Sequence, residues 1–194
     1  MRKRLLNGCA KSKFIANAFE KQGWESWTCD LLPAEGPGNH IQDDLLKHLD
    51  DGWDMGIFHP ECTNLANSGV RWYHERPELQ PLVKEAADFF NKCLNAKIPL
   101  ICVENPIQHK YARQFIPIYT QIIQPHYFGQ GESKATCLWL VGLPKLRRTH
   151  WMSKESIRQS VWLEPPSLER QANRSRIYPA IAKAMAEQWG GLYG

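Results

Sequence analysis

Long hydrophobic runs are missing from this sequence of 194 residues. No apolar stretch approaches the ~20 residues that a membrane-spanning helix needs, so we expect no contact with a membrane. No two of the six cysteines have the spacing of a metal-binding pair, and we therefore predict no metal site. Internal repeats and low-complexity tracts are also missing, which argues against a solenoid. The N-terminus lacks the long apolar region of a secretory signal, so we expect a cytoplasmic protein.

The composition is that of a globular domain, with 43% hydrophobic and 23% charged residues. This length suits one domain with a single core, and we predict one domain over residues 1–194. Several cysteines lie singly inside apolar runs, where a thiol behaves as a small hydrophobic group. That usage fits a reducing compartment.

The net charge of +4 is small, but the charges are unevenly distributed. Residues 25–61 contain nine acidic side chains and a single basic one, Lys47, whereas residues 145–183 contain nine basic side chains and three acidic ones. An acidic first half suits a cationic or hydroxyl-rich small ligand, and a basic last third suits phosphate. The alternative is two solvated surfaces of opposite sign.

The first thirty residues have the pattern of a nucleotide-binding unit. We predict a strand at 4–9, a helix at 13–22 with Ser12 as its N-cap, and a strand at 24–29 that ends at Asp30. In a βαβ unit of this kind, an acid at the end of the second strand accepts hydrogen bonds from ribose hydroxyls. A surface aspartate that begins a loop is the alternative for Asp30.

Two apolar runs, 54–59 and 98–104, predict buried strands joined through the clearest helix of the chain, at 78–94. This crossover makes the two strands parallel, so their carboxyl ends lie at the same edge of the sheet. The long polar loop at 60–76 suits a mobile lid. The remaining predictions are a short helix or turn at 41–49, strands at 119–124 and 135–141, an irregular basic segment at 143–176, and a closing helix at 179–189.

Reactive side chains follow both of these strands. Cys62 follows the first, and Glu104 with Asn105 ends the second. A thiolate can attack the electron-poor ring carbon of a pyrimidine if a donor assists the ring nitrogen where charge develops. We therefore predict Cys62 as the nucleophile and Glu104 as the proton donor, with Asn105 helping to orient it. A structural cysteine is the alternative for Cys62.

At these residues the sequence resembles the carbon-5 DNA cytosine methyltransferases, and more closely their short phage and prophage relatives. Pro60-Glu61-Cys62 and Glu104-Asn105-Pro106 stand where that family has its cysteine loop and its Glu-Asn pair. The stretches 123–140 and 174–191 are similar to the phage-type group in particular. The resemblance covers nearly the whole chain.

The resemblance implies an α/β fold, a single Rossmann-like methyltransferase domain whose mostly parallel twisted sheet has helices on both faces. It implies methylation of carbon 5 of cytosine in DNA through a covalent cysteine adduct, with S-adenosylmethionine as cofactor. The segment 143–176 would stand in place of a large target-recognition domain. The implied cofactor-binding residues are Gly8, Cys9, Asp30, Asp44 and His59, and the implied substrate-binding residues are Asn64, Asn105, Lys134, Arg174 and Arg176.

Two other functions stay open at this point. A catalytically degenerate methyltransferase fold would bind nucleic acid or a protein through its basic last third. An enzyme that modifies free pyrimidine nucleotides would need no target-recognition domain. His59 likewise has an alternative to cofactor binding, as a structural histidine at a strand end.

Overall fold

A computed structural model describes residues 2–160 and 177–192 of the chain. Seven strands and four helices carry the architecture of these residues. The strands are β1 (Arg4–Gly8), β2 (Glu25–Asp30), β3 (His40–Gln42), β4 (Met55–Phe58), β5 (Leu100–Asn105), β6 (Gln121–Ile123) and β7 (Thr136–Val141). The helices are α1 (Phe14–Glu20), α2 (Val70–Glu75), α3 (Gln80–Leu94) and α4 (Pro179–Trp189).

The strands form one sheet in the order β3-β2-β1-β4-β5-β7-β6. The first five strands of that order are parallel to one another, whereas β7 is antiparallel to both β5 and β6. Helices cover the sheet on both faces, as the hydrophobic clusters described next show. The predicted α/β fold with a mostly parallel, Rossmann-like sheet is therefore confirmed.

Each face of the sheet has its own hydrophobic core. On one face α1 and α4 pack together, and their side chains meet residues such as Leu5 and Ile57. On the other face α3 contributes residues such as Phe90, which packs at 4.8 Å, ring centroid to ring centroid, against Trp139 of β7. All residues of β4 and β5 are buried, because both faces of these central strands are covered.

The order of the strands reverses direction between β1 and β4. After β1 the chain builds outward to β2 and β3, then returns to place β4 on the opposite side of β1. In an open α/β sheet, ligands bind in the crevice that this reversal opens at the carboxyl ends of the strands. The last residues of β1, β4 and β5 lie at this edge.

Two local predictions in the first half are wrong. Residues 41–49 do not form one helix or turn, because His40–Gln42 forms the edge strand β3, followed by a 3-10 turn at Leu45–Lys47. A three-residue edge strand is too short to show an alternating pattern. Ser12 is also not an N-cap: α1 begins at Phe14, and Lys13 precedes it without a side-chain capping bond.

The predicted loop at 60–76 is not irregular throughout, because it contains a 3-10 turn at Asn67–Gly69 and the helix α2; its role as a mobile lid stays a prediction. The segment 143–160 is irregular, as expected, apart from a short 3-10 turn at Lys154–Ser156. The other predicted strands and helices are present with ends shifted by a few residues. Among the described residues, no helix combines the length and the apolar character that crossing a membrane requires.

Candidate active site

Glu104 lies at the crevice edge of β5 and is 8% exposed. Its Oε2 accepts a hydrogen bond from Nδ1 of His59 at 3.0 Å. Burial alone would raise the pKa of this carboxyl, but the hydrogen bond and charge of His59, together with Lys134, outweigh burial and lower it. The carboxylate therefore stabilises the fold above the ordinary pKa of 4.5, and this contribution is lost as the pH falls through the lowered pKa.

The other ring nitrogen of His59 faces β1. Nε2 lies 3.0 Å from Oδ1 of Asn7, a polar side chain that is 1% exposed inside an otherwise apolar strand. One imidazole thus joins the ends of β1 and β5 across β4. The resemblance implied cofactor binding by His59, which stays a prediction; the structure shows its ring bonded to Glu104 and Asn7. The polar Asn7 in an apolar strand was the signal for this network, and sequence reasoning missed it.

The loop that carries Cys62 is fastened to the segment after β5. Asn67 donates its backbone N–H to the carbonyl of Ile107 at 2.8 Å, and His109 donates its own to the carbonyl of Leu65 at 3.0 Å. The carbonyl of Cys62 itself accepts the backbone N–H groups of Leu65 and Ala66. Cys62 is partly exposed within this closed turn. The nucleophile candidate therefore sits on a braced loop beside the crevice.

Asn64, a predicted substrate-binding residue, is held by two aromatic neighbours. Its side-chain Oδ1 accepts the hydroxyl proton of Tyr73 at 2.7 Å, and its backbone carbonyl accepts Nε2–H of His109 at 2.9 Å. The rings of Tyr73 and His109 are 4.9 Å apart. These contacts show Asn64 as part of the brace of the Cys62 loop, and a role in substrate binding stays a prediction.

Asn105 ties the two strand ends together directly. Its Nδ2 donates to the carbonyl of Pro60 at 2.8 Å, and both groups are buried. Its Oδ1 is buried without a hydrogen-bond partner among residues 2–160 and 177–192. The amide that the sequence assigned to substrate binding therefore positions the start of the Cys62 loop beside Glu104.

Lys134 is the basic residue that the structure associates with Glu104. It precedes β7, the strand that pairs with β5, and its charge is one of the causes that lower the pKa of Glu104. Its ammonium also lies 5.7 Å from the ring centroid of Tyr178. Arg174 and Arg176, the other basic residues predicted to bind substrate, lie outside the described residues.

Gly8 ends β1, and its missing side chain is used for packing. A Cβ at this position would lie 2.6 Å from both Cδ atoms of Leu45 and 2.8 Å from Cδ1 of Phe58. The next residue, Cys9, has a φ of 55°, in the left-handed region that non-glycine residues rarely adopt. Such backbone strain concentrates at functional sites. The backbone of the turn after β1 is therefore strained at Cys9. Gly8, by contrast, is required by its packing against Leu45 and Phe58 in the hydrophobic core.

Both lysines of this turn are bound by oxygen atoms of the chain itself. The ammonium of Lys11 forms an ion pair with Glu35 at 3.3 Å. Lys13 is 7% exposed, and its ammonium donates to Oγ1 of Thr28 and to the carbonyl of Asn39. Glu35 therefore compensates the charge of Lys11, whereas the ammonium of Lys13 is hydrogen-bonded to neutral oxygens, and burial lowers its pKa.

Asp30 and Asp44 follow β2 and β3 at the same edge. Oδ1 of Asp30 accepts the backbone N–H of Leu32 at 3.0 Å, which orients a partly exposed carboxylate at the end of β2. This is the acceptor that ribose hydroxyls of a nucleoside cofactor require, so the cofactor fits at its ribose end. Asp44 caps the 3-10 turn that follows β3, with Oδ1 accepting from the N–H of Leu46 at 3.0 Å. The role of Asp44 in cofactor binding stays a prediction.

No family model matches this sequence, and no curated protein matches it. Among solved structures, a prophage-encoded E. coli protein assigned as a DNA modification methyltransferase is 12% identical with a TM-score of 0.43, over 71% of this chain and 46% of its own. The Entamoeba histolytica methyltransferase EhMeth is 12% identical with a TM-score of 0.48, over 77% of this chain and 57% of its own. A mutant of Spodoptera frugiperda DNMT2 is 14% identical with a TM-score of 0.44, over 75% and 53%.

The chain thus spans about half the length of these three structures, at 46%, 57% and 53%. At such low identity and partial overlap, the fold is defined by the strand order of the sheet itself. The activities named for those three proteins are not assigned to this chain by these matches.

We predict that Gly8→Ala destabilises the protein by about 1–3 kcal/mol, because the added methyl group overlaps Leu45 and Phe58. Chemical denaturation measures this change. Gly36→Ala is the matched control, since a Cβ there meets no atom within 4 Å. A neutral Gly8→Ala would show that the glycine is not required by packing.

We predict that Asn105→Asp costs about 1–3 kcal/mol, because a carboxylate cannot donate to the buried carbonyl of Pro60. Hydrogen exchange at the amides of Leu65 and Asn67 should become faster, since the Cys62 loop loses an anchor. Asn67→Asp, an exposed change in the same loop, is the control and should cost under about 0.5 kcal/mol. Unchanged exchange in Asn105→Asp would contradict the anchoring role.

Proposed function

We propose that this protein is a methyltransferase that acts on carbon 5 of cytosine in DNA. The observation that carries the proposal is the connection between two strand ends: Asn105 binds Pro60, two residues before Cys62, while its neighbour Glu104 is hydrogen-bonded to His59, the residue after β4. A thiol-bearing loop and a buried carboxyl group thus belong to one edge of the sheet. This is the pair of groups that addition to a pyrimidine ring needs.

In the proposed reaction, the thiolate of Cys62 attacks carbon 6 of the ring and forms a carbon–sulfur bond. The electron pair of the C5=C6 bond moves to form a C4=C5 bond, and the C4=N3 pair moves to N3, which takes a proton from Glu104. Carbon 5 then becomes nucleophilic. After methylation, carbon 5 loses its proton to solvent water, N3 returns its proton to Glu104, and the thiolate of Cys62 departs, which restores the ring and the enzyme.

S-adenosylmethionine, when bound, supplies the methyl group that carbon 5 accepts. Asp30 would hold its ribose, because this carboxylate is oriented and partly exposed at the end of β2. Cys9 and Asp44 lie on neighbouring turns of the same edge. The chain's own task is to align the thiol, the acid and the ring.

A patch that suits nucleic acid lies in the basic segment, where the half-buried Arg148 is accompanied by the exposed Arg147, His150, Trp151 and Lys154. The guanidinium of Arg148 lies 4.7 Å from the ring centroid of Tyr127 and 5.5 Å from that of Trp151. Trp151 is 77% exposed. Exposed aromatic rings beside cationic groups are the stacking platforms of single-stranded nucleic acid binding. This patch supports a polymer as substrate rather than a free nucleotide.

We predict that Cys62→Ser abolishes methyl transfer to DNA while the melting temperature stays within a few degrees of wild type, because the hydroxyl is a far weaker nucleophile. Transfer of labelled methyl groups from S-adenosylmethionine measures the activity. DNA that contains 5-fluorocytosine should form a denaturation-resistant adduct with the wild type and not with Cys62→Ser, because the fluorine on carbon 5 cannot leave as a proton does. Thr63→Ala, an exposed change in the same loop, is the control. Methyl transfer by Cys62→Ser would rule out the covalent mechanism.

We predict that Trp151→Ala weakens binding to single-stranded DNA about tenfold, by removing a stacking ring worth ~1–3 kcal/mol. Arg148→Gln should reduce the slope of log affinity against log salt by about one, if it contacts one phosphate. Fluorescence anisotropy at several salt concentrations measures both. Trp72→Ala removes an exposed tryptophan outside the patch and serves as the control. An equal loss in Trp72→Ala would contradict a specific role of the patch.

A further inference from the structure

His59 occupies a buried position between two strands of the candidate site. It follows β4, and its ring is within hydrogen-bond distance of Asn7 on β1 and of Glu104 on β5, both at 3.0 Å. Only 11% of the His59 side chain and 10% of the Glu104 side chain are exposed. Water therefore has little access to the ring, and its protonation is governed by these two partners.

Both partners are hydrogen-bond acceptors. The amide oxygen of Asn7 cannot donate, and neither can the carboxylate of Glu104. An imidazole that meets an acceptor at each nitrogen must carry a proton on each nitrogen to satisfy both. An imidazolium at His59 beside an ionised Glu104 satisfies both of these contacts.

A second buried histidine shows the opposite arrangement. Nε2–H of His109 donates to the carbonyl of Asn64 at 2.9 Å, while its Nδ1 accepts the backbone N–H of Ala112 at 3.1 Å. One donor and one acceptor suit a neutral ring, and burial lowers the pKa of His109. His109 therefore serves as an internal reference for a histidine with one ring proton.

We propose that His59 is the positioning residue that stores the proton which Glu104 delivers to the substrate. The inference rests on the proposed reaction, in which Glu104 gives a proton to N3 of the ring. The proton on Nδ1 moves to the carboxylate of Glu104, and the resulting carboxyl group passes it to N3. His59 is left neutral, with its remaining proton on Nε2 bonded to Asn7. When the ring is restored, the proton returns along the same path.

Asn7 determines which of the two protons moves. Because its amide oxygen holds the proton on Nε2, the proton shared with Glu104 is the one available for transfer. Among the described residues, the charged neighbour of this pair is Lys134 before β7, and the titratable thiols of Cys102 on β5 and Cys137 on β7 also interact with Glu104, whereas Asn7 on β1 is neutral. Lys134 favours the ionised carboxylate, so Glu104 has no proton of its own to give in the resting state.

The protonation of His59 can be measured without substrate or cofactor. In the intact protein labelled with nitrogen-15 at histidine, the ring signals lost in His59→Gln identify His59. We expect two protonated ring nitrogens for His59 at pH 7 and one for His109. In Glu104→Gln, His59 should lose its second proton at a lower pH than in the wild type. A single protonated nitrogen at His59 in the wild type would overturn the proposal, whatever the activity of the protein.

The transfer step is tested by the pH dependence of methylation. His59→Gln should lower kcat at least tenfold with KM within twofold of wild type, and should remove the loss of rate on the alkaline side. Asn7→Asp places a second carboxylate beside the ring of His59. The pH at which the methylation rate falls on the alkaline side should therefore be higher in this variant than in the wild type. An unchanged rate and pH profile in His59→Gln, with its fold confirmed by melting, would overturn the relay. If the wild type transfers no methyl group to any DNA, the proposed function fails, and the nitrogen-15 measurement still decides the state of His59.

Discussion

A carboxylate buried at the end of a central strand needs a compensating partner, and this requirement shapes the crevice of the protein. Glu104 is 8% exposed, and an isolated charge at that depth would be strongly destabilising. The compensation comes from His59, which can reach Glu104 because β4 and β5 are parallel and paired, with Phe58 opposite Val103. The sheet register thus places the residue after β4 beside the acid at the end of β5. A shift of one residue would turn these side chains to opposite faces.

The same edge is closed by a second set of contacts, which act on the backbone. Asn105 anchors Pro60, and the backbone bonds from Asn67 and His109 continue the attachment along the next residues. A cysteine on an unattached loop would sample many positions, and ordering it for reaction would cost conformational entropy. In this protein the Cys62 loop is already ordered in the folded state, so the reaction does not have to order it. The charged pair and the braced loop are therefore two products of one strand pairing.

The sequence predicted the large features of this arrangement and missed the local ones. Strong apolar runs identified β4 and β5, and the parallel crossover correctly placed Glu104 and Asn105 at the crevice edge. The edge strand β3 was missed because three residues carry too little periodicity. Helix α2 was missed because its six residues follow a polar turn and bury Tyr73 alone. The partners of His59 were missed because they lie 52 and 45 positions away along the chain; the polar Asn7 inside an apolar strand was a signal, but it does not identify its partner.

Two histidines near the Cys62 loop show how partners, rather than residue type, decide chemical character. His109 bonds a carbonyl and a backbone N–H, so a neutral ring satisfies both, and the residue serves as a brace. His59 bonds an amide oxygen and a carboxylate, so it needs both ring protons, and one of them is shared with an acid. Exchanging these environments would require a donor in place of Asn7 and an uncharged group in place of Glu104. A buried acid that is kept ionised can donate a proton only after it has taken one from a neighbour, and in this crevice His59 is within reach to supply it.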